Sequence, residues 1–124
     1  MPANATGRVY KVSDQTAVSG TDVTFAAGSS TGWIEATFVT PVNVTVGDRY
    51  VAAIRMPNGR YAATNSYWDS GAGSTGRTSG ILRAENTNDT EVAGQGVFAE
   101  GAMAYPTGNG NGTNYWVDVV ARPS

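Results

Sequence analysis

"GWIEATFVT", residues 32–40, decides the fold class. Ile34, Ala36 and Phe38 fall on one side of this run, and Trp33, Glu35, Thr37 and Val39 on the other. Side chains alternate across a strand with a period of two, whereas a helix groups residues three and four apart. One apolar side against one mixed side therefore predicts a half-buried strand. Pro41 closes it, because proline has no amide proton for a ladder. "VNVTV" (42–46) then sets Val42, Val44 and Val46 on a single side, and Gly47-Asp48 marks a turn.

The same pattern extends outward in both directions. "GRVYKVS" (7–13) and "TDVTF" (21–25) read as strands before it. "RYVAAIRM" (49–56) follows, then "PNG" (57–59), whose Asn58-Gly59 pair suits the positive φ of a tight turn. "RYAAT" (60–64) returns, so 49–56 and 60–64 are expected to form a hairpin. "NSYWDSGAGSTGRTSG" (65–80) is a Gly/Ser-rich loop that carries Tyr67 and Trp68, and long loops of this kind are usually functional. "ILRAENTNDTEVAGQG" (81–96) is ambiguous between a short strand and a helical turn. "GVFAEGAMAY" (96–105) reads as a strand with a glycine break. "PTGNGNGTN" (106–114) is a second turn-rich loop, and "YWVDVVA" (115–121) is the last strand.

Short strands separated by Gly, Pro and Asn predict an all-β domain. The expected architecture is an antiparallel β-sandwich, jelly-roll or immunoglobulin-like, with no long helix. Residues 1–124 form a single domain in this reading, with 1–6 as a short N-terminal arm. Ile34, Phe38, Val44, Val46, Ile54, Val117 and Val119 are its expected core.

Composition narrows the function. Lys11 is the one lysine among eight basic residues, and no segment clusters them, which argues against nucleic-acid binding. No apolar run is long enough to insert into a membrane as a helix. Cysteine and histidine are both absent. Disulfides, thiolate metal sites and the usual Ser–His–Asp or Cys–His catalysis are therefore unavailable. No basic-then-apolar leader opens the sequence.

Asp118 lies in the middle of the apolar stretch "YWVDVV". Parity puts it with Trp116 and Val120, opposite Tyr115, Val117 and Val119, so it is expected on the less buried side. A catalytic role would need a second carboxylate at a fixed separation. No spacing brings Asp48, Asp69 or Glu100 beside it, so no catalytic residue is assigned. "ENTNDTE" (85–91) is oxygen-rich, as loops that hold calcium are, but its spacing fits no EF-hand and Asn/Asp turns look alike without any ion. No metal ligand and no cofactor is assigned.

Exposed aromatic rings can stack on the apolar face of a sugar. Trp33, Tyr67, Trp68 and Tyr105 are the rings that could do so, against the alternative that each caps the core. The candidate ligand residues are Tyr67, Trp68, Asp69, Tyr105 and Asn109, on the 65–80 and 105–114 loops.

Four segments carry a resemblance when taken in order. They are "GWIEATFVTPVNVTVGDRYVAAIRMPNGRYAATNSYW", "GVFAEG", "YPT" and "NYWVDVV". Over most of its length the chain resembles the actinobacterial "domain of unknown function" family 4082. Its members recur in extracellular proteins beside immunoglobulin-like repeats and carbohydrate-active modules. The resemblance implies an extracellular β-sandwich module and brings no catalytic residues. It also implies that N-terminal strands are lacking here, because family members carry an earlier "G.RFYKG" block where this chain has only residues 1–6. An edge left open in that way would be covered by another copy, a partner or rearranged local structure.

The leading expectation is a non-catalytic surface module for adhesion or for glycan and cell-wall recognition, extracellular or at the cell surface. The alternative is a structural protein of a larger assembly, such as a phage tail or capsid decoration in the virion. The partner is then a surface glycan or another protein subunit, and the working state a homo-oligomer or part of an assembly. A whole gene product without a leader favours the assembly. A segment of a longer secreted protein favours the module.

Overall fold

The structure is a computed structural model that describes residues 2–28, 32–59, 61, 63–79, 82–85 and 95–121. It is all-β, with no helix among the described residues and every strand pair antiparallel. The strands are β1 (Thr6–Lys11), β2 (Val23–Thr24), β3 (Tyr50–Arg55), β4 (Arg77–Ser79), β5 (Leu82–Ala84), β6 (Val97–Phe98) and β7 (Gly108–Asn109). They form a three-stranded sheet in the order β2-β1-β3 and the two-stranded sheets β4-β5 and β6-β7. The absence of helix and the antiparallel pairing are as the sequence predicts, and the arrangement is compatible with a sandwich.

The chain packs as two compact units, Met1–Tyr61 with Ala102–Tyr105, and Ala62–Gly101 with Pro106–Ser124. In the first, β1 is central. It pairs with β3 along its whole length, from Thr6↔Arg55 to Lys11↔Tyr50. Its other edge is closed by β2 and by backbone amides and a carbonyl of the following loop. Phe25 donates to the Ala5 carbonyl, Val18 to Val9 and Lys11 to Thr16, each at 2.9 Å. Both edges of β1 therefore carry partners. Ala5 is fully buried, so the end of the 1–6 arm is part of this core.

Thr21 shows how the core accommodates a polar group. Its hydroxyl oxygen accepts the Val9 amide at 3.1 Å and donates to the Val18 carbonyl at 2.7 Å. The side chain is buried, so the Val9 amide depends on it. Thr21→Val keeps the shape but leaves the Val9 amide unsatisfied, while the Val18 carbonyl keeps the Thr21 amide at 3.3 Å, and should cost about 1–3 kcal/mol. A urea melt checks this; an unchanged midpoint would show that water reaches this amide.

Three expectations need correction. First, β3 takes β1 as its partner, and residues 61, 63 and 64 form no ladder with it. The predicted turn does form, with the Gly59 amide donating to Met56 at 3.0 Å. Thr64, however, exchanges backbone hydrogen bonds with Asn114, which removes it from a hairpin with β3. Arg60 and Ala62 lie outside the described residues. Second, 32–40, 42–46 and 115–121 carry no strand assignment. The alternation of 33–39 and 115–120 is nevertheless real, whereas 42–46 shows none beyond half-buried Val42. Ile34, Ala36 and Phe38 are half-buried between exposed neighbours, as are Val117 and Val119. Alternation reports which side faces the interior and does not supply a partner edge for a ladder. Third, Val44 and Val46 are exposed, Val46 completely, and so leave the predicted core. Ile34, Phe38, Ile54, Val117 and Val119 are half-buried. The most buried apolar side chains are Ala5, Tyr10 and Trp68.

Candidate functional site

The second unit builds its surface from two turn-rich loops. In the first loop, Ser66 adopts a left-handed φ of 55°. Its carbonyl accepts the amides of Asp69, Ser70 and Gly71, winding the chain tightly. This winding turns Tyr67 and Trp68 toward Gly73, whose Cα lies against both rings. A methyl group there would come within 2.5 Å of Tyr67 and 2.6 Å of Trp68. The glycine at position 73 is therefore a packing requirement of the two aromatics.

The second loop is shaped by asparagine. Asn109 Oδ1 accepts the Asn111 amide at 2.8 Å, an Asx turn, and Asn111 takes a left-handed φ of 55°. Backbone hydrogen bonds join the two loops. The Trp68 amide donates to Gly112 at 2.9 Å, and Thr64 and Asn114 exchange bonds of 2.8 and 2.9 Å. The Asp69 carboxylate packs against Gly112, where a methyl group would approach it to 2.6 Å.

Tyr67, Trp68, Asp69 and Asn109 thus belong to one pair of locked loops, with different exposures. Trp68 is only 8% exposed and acts as the interior support. Tyr67 is half-buried and stands edge-on to Trp68 at 4.8 Å. Asp69 and Asn109 are exposed. Tyr105 belongs to the first unit, where it meets Tyr10 edge-on at 5.7 Å. Burial pushes its phenol above the ordinary tyrosine range.

Trp116 is the aromatic that the list of candidates omitted. It is 41% exposed and packs edge-on against Tyr67 at 5.3 Å. Its indole Nε1 donates to Thr64 Oγ1 at 3.0 Å, and its amide donates to Asn114 Oδ1 at 2.7 Å. Parity already set Trp116 on the outward side of 115–120, and a tryptophan in that position was the available signal. Asp118 is exposed as predicted, with Oδ1 accepting the Val119 amide at 2.8 Å.

The family model for a domain of unknown function, DUF4082, matches residues 2–117. The chain belongs to this family. The DUF4082 match takes in both loops and Trp116, and its description assigns no function to any of them. No curated protein and no solved structure matches the chain. Residues 86–91 of the oxygen-rich segment lie outside the described residues. Among the described residues, no three metal-ligating side chains come together.

Proposed function

We propose that this DUF4082 domain is a non-catalytic surface module that recognises glycan or cell-wall polymer, outside the cell or at its surface. The observation that carries this reading is the locked pair of loops in the second unit. It holds the Tyr67–Trp116 aromatic pair at the surface on a frame of backbone hydrogen bonds, with the Asp69 carboxylate on the same loop framework. A rigid aromatic with polar groups nearby suits a sugar, which has an apolar ring face and a rim of hydroxyls. Neither histidine nor cysteine is present to serve as the usual base or nucleophile. A glycan array probed with the full chain tests the reading. Binding of at least one sugar class is expected, and a blank array at high protein concentration would overturn it.

A second reading rests on a different observation. Trp33, Val39, Val44 and Val46 are exposed large apolar side chains within 33–46. Apolar surface of this kind is what a neighbouring subunit covers. The alternative is therefore a structural subunit of a larger assembly, such as a tail or capsid decoration of a virion. Light scattering separates the two. A mass that grows with concentration favours the assembly, and a constant monomer mass favours the module.

A further inference from the structure

Three restraints and a strained backbone converge on one residue with a surface indole. The Trp116 backbone has a φ of 56°, a left-handed conformation that bulky residues avoid. Its amide is held by Asn114, its Nε1 by Thr64, and its ring by Tyr67. Strain of this kind persists only where the surroundings over-determine it, and it gathers at ligand sites. Stapling the fold does not explain the choice of residue. Asparagine or glycine would adopt the same φ with less strain, and an indole 41% exposed contributes little to a core.

We propose that Trp116 is the ligand platform of the module and that it stacks on the C–H face of a neutral pyranose. This rests on the glycan-recognition reading above and names the residue and the sugar class. Asp118 is exposed two residues on, within roughly 7 Å of chain. Only its Oδ1 has a partner among the described residues, the Val119 amide. The other oxygen is an acceptor for a sugar hydroxyl. A carboxylate at this distance, on a chain of net charge −2, disfavours sulfated or sialylated sugars. A cation would also suit a ring beside a carboxylate. Tyr67 meets Trp116 edge-on and does not form a second parallel wall, so the sugar is the better fit.

The test titrates the full chain with cello-, xylo-, manno- and chito-hexaose, with a sulfated and a sialylated oligosaccharide and with tetramethylammonium, followed by calorimetry and tryptophan fluorescence. Trp116→Asn, Trp116→Phe and Asp118→Asn are compared with the parent, with denaturation midpoints recorded for each. Trp116→Asn tolerates the left-handed backbone and should weaken binding by about tenfold or more. Trp116→Phe retains a ring and part of the affinity. It should lose the ligand-induced fluorescence change even though Trp33 and Trp68 remain. Asp118→Asn should weaken binding by a smaller factor. Equal binding by Trp116→Asn and the parent overturns the assignment of Trp116 and leaves the glycan reading standing. A parent that binds only acidic glycans, or binds tetramethylammonium in place of every hexaose, overturns the sugar class. A parent that binds no glycan at all overturns both.

Discussion

Replacing Gly96 with alanine is expected to remove much of the stability of the second unit. Gly96 has a φ of 77°, and an L-residue in that region costs about 1–2 kcal/mol. The second penalty is steric. A β-carbon on Gly96 would fall on the Thr113 carbonyl, which is backbone and cannot swing aside as a side chain can. Nor can the 108–114 segment easily withdraw. The Thr113 amide is bonded to Gly110 at 3.1 Å, and Gly110 itself lies hard against the Gly96 carbonyl. β6 and β7 begin to pair one residue further on, at Val97↔Asn109. Forcing extra volume into such a contact typically costs a further 1–3 kcal/mol. The total, about 2–5 kcal/mol, is large beside the 5–15 kcal/mol that holds a typical domain folded. A denaturant melt of Gly96→Ala measures it. Gly101→Ala is the control, because Gly101 shares the positive φ but a β-carbon there meets nothing. Equal losses in the two variants would show that backbone conformation alone, and not the contact with Thr113, is responsible.

Much of the local structure was legible in the sequence because it depends on near neighbours. The alternation of 33–39 and 115–120 survives residue by residue in the burial pattern. The turn at 57–59 was readable because Asn-Gly chemistry is local. Strand partners were not readable. β1 meets β3 between positions as far apart as Thr6 and Arg55, and nothing in either run names the other. The same limit explains the failed hairpin, since Thr64 is claimed by Asn114, fifty residues away. At the candidate site, the loops were identified by their Gly, Ser and Asn content. Which aromatic is buried and which is exposed depends on how the two loops dock. The polar loop around Trp68 signals an exposed ring, whereas Gly73 gives that ring a place to pack. Trp116 sits in an apolar run, which hides it among core residues, although parity turns it outward and it is 41% exposed.

Trp68→Ala is expected to act on folding before it acts on any ligand. The ring is 8% exposed and meets Tyr67 edge-on at 4.8 Å. Truncating a buried tryptophan costs about 3–5 kcal/mol, because the loop around it cannot fully collapse into the space. Gly73 lies at van der Waals contact with this ring and presents only a Cα to the void. The Trp68 amide also donates to Gly112, so a shift at residue 68 reaches the second loop directly. Trp68→Phe keeps an aromatic edge against Tyr67 and should lose less. The contrast with Trp116→Asn is the useful part. The two indoles share Tyr67 as a neighbour, so sequence proximity and ring contact do not separate their roles, but burial does. Trp68→Ala should lower the urea midpoint sharply, and any binding that remains in the folded fraction should keep its parental affinity. Trp116→Asn should change affinity at a nearly constant midpoint. A Trp68→Ala protein with an unchanged midpoint and no glycan binding would reverse the assignment, placing the buried ring in contact with the ligand and leaving Trp116 as its support.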